Sequence, residues 1–402
     1  MKTNRDNLWY ILGSGTFALN GTIMLLLVSR FFGITTTGEF GVSYATSQIL
    51  FIFGLFGVNI FQMTDYQKKY SFREYYNAKI ITSLLMIFAY IVIIFLFKIP
   101  TSRAIYTGLL AIYFLINSFA EVYQSHFFKE GFIVLSGKSL FFRSLLSSLV
   151  FAFSLFFIRN IVLAIIFMNI SNIVATYFFT IIPARAITGD KSNNKNNIDK
   201  LLKDCLPIFL STFLTTYLFN CGKYVIDYYR LIEIQGYFNI IFIPIQLINI
   251  FGSFIFKPIL PAISESIFSN NIGKVNKIKY SVIIIISLMT VSFCLIGWFL
   301  GPLVIQLFFN VNVYNLKFEL ICVFISGGLV AVVAFYYYIL VILRKQKIIS
   351  FVYIFSCIFI TILSFIFISL FGIIGAILSF FITNLLILLI FIYNSKIKKD
   401  AL

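Results

Sequence analysis

The sequence predicts an all-α integral membrane fold of about twelve transmembrane helices, arranged as two parallel six-helix bundles with both termini cytoplasmic. Three observations predict it. Apolar runs of about twenty residues, the length that crosses a bilayer core, recur along the whole chain. Lys and Arg gather in alternate gaps between those runs. The second half also repeats a pattern of the first at an offset of 198 residues.

The runs fall at 8–29, 40–61, 80–97, 104–126, 139–158, 161–183, 204–222, 233–256, 280–300, 318–343, 348–370 and 372–394. The last two almost abut at Phe371–Gly372. In hydrocarbon every backbone polar group needs an internal partner, and continuous apolar runs of this length meet that need as helices, not as the alternating strands of a barrel. With the termini inside, the inner segments hold 24 of the 31 Lys and Arg residues, from Lys2 and Arg5 to Lys396, Lys398 and Lys399, and the outer ones hold 7. That asymmetry follows the positive-inside rule. It also explains the net charge of +17 without a nucleic-acid partner, because the charge sits in short loops and not on one basic domain. The first span is too long for the apolar core of a cleavable leader and lacks a small-residue cleavage site. Cys205, Cys221, Cys294, Cys322 and Cys357 lie in or beside spans without metal-ligand spacing, so they read as apolar packing residues.

The polar stretch Thr188–Asn197 divides the chain into an N-terminal bundle (1–183), a cytoplasmic linker (184–203) and a C-terminal bundle (204–402). Shifted by 198 residues, Gly38, Phe40, Gln48, Ile52, Phe53, Gly54 and Phe56 fall on Gly236, Phe238, Gln246, Ile250, Phe251, Gly252 and Phe254. Six spans per half make this a parallel repeat about an axis normal to the membrane. Such halves usually enclose a substrate cavity and work by rocking. Pro207, Pro244, Pro258 and Pro261 concentrate in the first two spans of the second half, where bends are expected.

Ionisable groups at membrane depth are costly and point to function. In span seven Thr212, Thr216, Asn220, Lys223 and Asp227 form one stripe about 80° wide at helical pitch. Lys223 and Asp227 can pair at i, i+4, or both can snorkel to the outer interface. In span four Asn117, Glu121, Gln124 and Ser125 share a face. Glu121 reads either as a site for a coupling ion, H+ or Na+, or as a polar clamp between helices. His126, the single histidine, cannot form a histidine metal site. Span one offers Gly13, Thr16 and Asn20 on one face. Arg30 closes that span as either a phosphate ligand or an interface anchor. Sequence signatures of zincins, serine hydrolases, P-loops and metal-bound diphosphate sites are missing, so neither an enzyme nor a cofactor is expected beyond a coupling ion.

Several segments resemble one family. Arg30-Phe-Phe-Gly33 through Gly38-Glu-Phe-Gly41 is similar to the turn after the first span of polysaccharide-repeat flippases, members of the multidrug/oligosaccharidyl-lipid/polysaccharide (MOP) exporter superfamily. Leu201–Pro207, Asn220–Asp227 and Gly236–Phe238 resemble that family's seventh span and the turn after it. Phe254–Pro261 is like its ending of span eight, with Lys257 where arginine is common. Gly372-Ile-Ile-Gly-Ala376 is like its entry to the last span. The resemblance covers essentially the whole chain.

It implies a MATE/MOP-like flippase in the bacterial cytoplasmic membrane, moving an undecaprenyl-diphosphate-linked oligosaccharide repeat outward for surface polysaccharide assembly. Membrane lipids, a polysaccharide polymerase and glycosyltransferases are the implied partners. Arg30, Lys223 and Lys257 would meet the diphosphate, and Asn20, Gln48, Asn220 and Gln246 the sugar hydroxyls. Asp227 and Glu121 would balance charge or carry the coupling ion. The competing readings are a cation-coupled drug exporter of the same superfamily, a major-facilitator transporter, an integral-membrane transferase and a non-transporting scaffold.

Overall fold

The computed structural model describes residues 4–65, 69–185, 197–269 and 271–395, and all their regular structure is helical. The helices are α1 (Asn4–Leu55), α2 (Val58–Thr64), α3 (Phe72–Leu96), α4 (Thr101–Lys129), α5 (Ile133–Ile158), α6 (Ile161–Thr176), α7 (Ile182–Arg185), α8 (Ile198–Tyr228), α9 (Ile232–Ile241), α10 (Ile243–Phe256), α11 (Leu260–Phe268), α12 (Ile272–Phe309), α13 (Lys317–Ile342), α14 (Gln346–Phe371) and α15 (Ile373–Asn394). A π-helical turn, Tyr177–Ile181, joins α6 to α7. Among the described residues eleven helical runs are long and apolar enough to cross a membrane. The first, Leu8–Leu55, is 48 residues long and contains both of the first two expected spans. They are separated inside α1 by Gly33, whose φ of 79° and ψ of −176° lie in a region open essentially to glycine. Most of the expected linker, residues 186–196, lies outside the described residues.

The chain divides into two compact units. One contains residues 1–32 and 39–216, the other residues 33–38 and 217–402. Helix α8 therefore passes from the first unit into the second between Thr216 and Tyr217.

In the N-terminal unit α4 packs against α2, α3, α5 and α6. A capping box starts α3, with Ser71 and Glu74 each satisfying the other's backbone N–H. Met24, Leu25, Val28, Phe40 and Tyr44 of α1 bury themselves with Leu110 and Phe114 of α4, Phe151 of α5 and Ile165 and Met168 of α6. A second cluster joins Val58, Tyr70, Tyr75, Ala78 and Val122 to Leu201 and Cys205 of α8.

In the C-terminal unit α13 is central and packs against α10, α12 and α15. Phe256 and Phe335 meet at 5.9 Å across α10 and α13. The second span of this half is interrupted at Phe242, just before Pro244, and ends in a single 3₁₀ turn, Lys257–Ile259, containing Pro258. Pro207, by contrast, is carried inside continuous α8. Gly372, at φ 56°, makes the tight turn from α14 to α15. Large apolar side chains such as Phe95, Phe157 and Phe299 stay more than 70% exposed, as a lipid-facing surface requires.

Candidate functional site

Polar side chains occupy the interior of each unit, in different ways. In the N-terminal unit the expected polar face of α4 is present and meets a cation from α5. Arg143 is 1% exposed, and its guanidinium donates to the carboxamide oxygen of Asn117. The Gln124 carboxamide, oriented to satisfy both neighbours, accepts from Arg143 Nη1 at 2.8 Å and donates to Glu121 Oε1 at 3.2 Å. Asn59 also hydrogen-bonds Glu121, whose cationic neighbours are Arg143 and Lys79. Glu121 as a whole residue is only half-buried. Any coupling ion would compete with these donors for it.

Lys79 is fully buried, and its Nζ donates to the Gly54 carbonyl at 2.7 Å; the Thr82 and Ser118 hydroxyls reach the same oxygen at 2.9 and 3.1 Å. Nearby, Asn20 is fixed from both ends: Nδ2 donates to the Tyr113 hydroxyl at 2.5 Å, and Oδ1 accepts from Ser148 at 2.8 Å. Thr180 and Ser139 meet at 2.6 Å beside the π-turn. In α6 both carboxamide atoms of buried Asn172 and the Thr176 hydroxyl have no protein partner, the condition under which buried water is found.

The 24 basic residues counted to the inner segments include Lys79 and Arg143, which the structure places within helices. The signal that marks them is their position in the helices. Arg143 is ten residues into α5 and Lys79 seven residues into α3, so both are buried at helix depth and cannot act as interface anchors.

The C-terminal unit gathers neutral hydroxyls instead. Tyr217 Oη meets Thr361 Oγ1 at 2.8 Å, Cys221 Sγ lies 3.8 Å from the same oxygen, and Ser364 meets Ser379 at 3.0 Å. These contacts join α8 to α14 and α15. On the expected α8 stripe Asn220 is 1% and Lys223 8% exposed, while Asp227 is half-buried. The Lys223 ammonium makes no hydrogen bond or ion pair among the described residues. Lys279, the other buried lysine of this unit, is satisfied by Ser395, accepting through its carbonyl at 3.0 Å and its hydroxyl at 3.3 Å.

The remaining sequence candidates are dispersed. Arg30 is exposed near the end of the first arm of α1. Gln48 and Gln246, equivalent in the repeat, are each half-buried. The backbone of Lys257 lies in the 3₁₀ turn, and its side chain lies outside what the structure describes. Among the described residues no three His, Cys, Asp or Glu side chains gather as a metal set. The five cysteines are free.

A separate charged node closes the end of the N-terminal unit where α2, α3, α4 and α8 converge. Asp65 accepts from the Lys69 N–H at 2.9 Å, the Tyr70 N–H at 3.2 Å, the Tyr75 hydroxyl at 2.8 Å and the Lys129 ammonium at 3.2 Å. Burial pushes this carboxyl up, but the bonds from Lys69, Tyr75 and Tyr70 and the charge of Lys129 hold it below its usual range. Lys69 pairs with Asp204 at 2.6 Å, and Tyr70 donates to the same oxygen at 2.9 Å. That hydrogen bond to Asp204 raises the Lys69 ammonium above its usual range.

The family model for polysaccharide biosynthesis proteins matches residues 4–267. Among solved structures, the chain is similar to the lipid II flippase MurJ in an inward closed conformation, with TM-score 0.70 and 14% identity over 96% of this chain and 87% of that one. It is also similar to the Vibrio cholerae MATE transporter VcmN in its bent form, with TM-score 0.62 and 13% identity over 97% and 95%. An inward-facing multidrug resistance MATE family transporter of the MOP superfamily matches with TM-score 0.60 and 14% identity over 96% and 93%. At these identities the likeness is one of fold. No curated protein matches the chain in sequence.

Proposed function

The chain belongs to the polysaccharide biosynthesis protein family and carries the fold of MOP-superfamily transporters, and we propose that it flips an undecaprenyl-diphosphate-linked oligosaccharide repeat across the bacterial cytoplasmic membrane. Lys223 carries this reading. A buried ammonium without a counter-ion costs several kcal/mol. Arg143, Lys79 and Lys279 all have resident acceptors, whereas Lys223 is held desolvated with none among the described residues. An incoming diphosphate supplies the missing anion, and Arg30 and Lys257 are the further cationic candidates for it. Asn220, Gln48 and Gln246 offer carboxamides to the sugar hydroxyls. Asn20, already bonded at both ends, instead ties α1 to α4 and α5.

The physical task fits two bundles working by alternating access. A sugar diphosphate cannot cross hydrocarbon, whereas its polyprenyl tail need not leave it. Glu121 and Asp227 are the groups through which H+ or Na+ would couple to the cycle. The cytoplasmic location of both termini follows from the charge asymmetry of the loops. No covalent step is required of the protein, so it acts as a carrier and not as an enzyme, alongside the glycosyltransferases and polymerase that make and use the repeat.

The deciding experiment depletes the protein and locates the lipid-linked oligosaccharide. The expected result is build-up in the inner leaflet, relieved by the intact chain but not by Lys223→Met or Arg30→Gln. Normal polymer with altered efflux of organic cations would move the chain to drug export, the activity that the names of its MATE-fold neighbours indicate.

A further inference from the structure

The 198-residue repeat makes Ile34 equivalent to Ile232 and Gly38 equivalent to Gly236, and the fold packs these four residues on one another. A Cβ on Gly38 would overlap the carbonyl oxygen of Ile232, and a Cβ on Gly236 would overlap the carbonyl oxygen of Ile34. The contact is reciprocal, with each segment presenting the same glycine and the same carbonyl to the other. Reciprocity of that kind is what an internal repeat produces where its equivalent segments meet. Asn239 adds a bond across the crossing, donating to the Thr37 carbonyl at 3.5 Å. Thr37, Gln235 and Asn239 are no more than 2% exposed, so the crossing is sealed.

Two backbones in contact through glycines have little interlocked between them: the side chains nearest the missing carbons are only those of Ile34 and Gln235. They can turn against each other without the rotamer changes that interdigitated surfaces demand. The chain is also jointed beside the contact. Gly33 has open space around a conformation reserved for glycine, and at Gly38–Glu39 the chain leaves the C-terminal unit for the N-terminal one.

We propose that the Ile34–Gly38/Ile232–Gly236 crossing is a bearing that stays closed throughout the transport cycle while the helices continuing from it swing. The proposal rests on the alternating-access reading above, but not on the identity of the cargo.

The test compares Gly38→Ala, Gly236→Ala and the double variant with Gly15→Ala, a glycine with nothing within 4 Å of the added carbon. A bearing predicts that each single variant loses about tenfold or more in flipping rate per folded, inserted molecule. The double variant should lose no more than about twofold further, because both methyls wedge the same pair apart. Gly15→Ala should stay within about twofold of the intact chain. Wild-type turnover in either single variant, or losses that multiply in the double, would overturn the proposal.

Should the alanine variants not fold, hydrogen exchange on the intact chain in lipid nanodiscs decides. Amides of 34–40 and 232–240 should stay uniformly protected with and without added undecaprenyl diphosphate. Two exchanging populations in these segments would show a contact that opens, and so no bearing. An intact chain that flips no lipid-linked oligosaccharide would remove the cargo assignment, while the exchange measurement would still judge the bearing.

Discussion

The interiors of the two units handle buried charge differently. In the N-terminal unit Gln124 bridges Arg143 to Glu121, Asn117 accepts from Arg143, and the Gly54 carbonyl accepts from Lys79, so the charges there are structural ties. In the C-terminal unit the network joining α8 to α14 and α15 is neutral, built from hydroxyls and a thiol, and Lys223 has no acceptor among the described residues. On the proposed function, a cation that is part of the fold comes with its partners, whereas one kept for a ligand does not. Stability measurements should therefore separate the two even before any cargo is known.

The largest effect is expected at Arg143. Arg143→Met strands Asn117, Gln124 and Glu121 together, and thermal unfolding in nanodiscs should report a loss of about 3–5 kcal/mol. Arg143→Lys should recover only part of it, because an ammonium lacks the planar fork that serves two carboxamides at once. An Arg143→Met variant as stable as the parent would remove the contrast. Next comes Asp65, at the charged node. Asp65→Asn is expected to cost about 1–3 kcal/mol near neutral pH by weakening a buried, multiply bonded acceptor. Because folding lowers this carboxyl below its ordinary value of 3.8, its contribution is complete above that value and drains away as pH falls towards the lower folded one. The melting temperature of the parent should therefore fall on acidification in that window, and the Asn variant should show a flatter profile.

Lys223→Met sharpens the comparison most directly. Removing a desolvated, unpaired charge should leave stability unchanged or raise it by on the order of 1 kcal/mol, while abolishing flipping. A loss of stability as large as that of Arg143→Met would mean that Lys223 is a structural residue after all. The smallest effect is expected at Lys69. Its pair with Asp204 is 45% and 30% exposed, and exposed pairs contribute little, so Lys69→Ala should scarcely move the melting temperature.

Much of this architecture was legible in the sequence, because bilayer thickness sets run length and charge asymmetry sets the alternation of loops. The polar face of α4 was legible for the same reason: Asn117, Glu121 and Gln124 fall together at helical pitch and do meet in the fold. Arg143 and Lys79 were hidden by the rule that assigns basic residues to loops. Basic residues at the edge of an apolar run read as interface anchors, but α5 starts at Ile133 and α3 at Phe72, far enough ahead to carry both cations inward. The merger of the first two spans into α1 was hidden because Gly33 is a one-residue break, with no polar loop to mark it. The identities at Gly38 and Gly236 were visible as a repeat. That the equivalent glycines touch each other is a fact of three dimensions, which no one-dimensional comparison contains.

Leu201 and Cys205, at the start of α8, are completely buried in the cluster that holds Val58, Tyr75 and Val122. They are synthesised only after the first six spans and the linker that follows them. Until they are made, this cluster lacks the side chains that complete it in the finished fold. The linker is thus under a timing constraint as well as a spatial one: it sets how long a partly built core waits for its last piece.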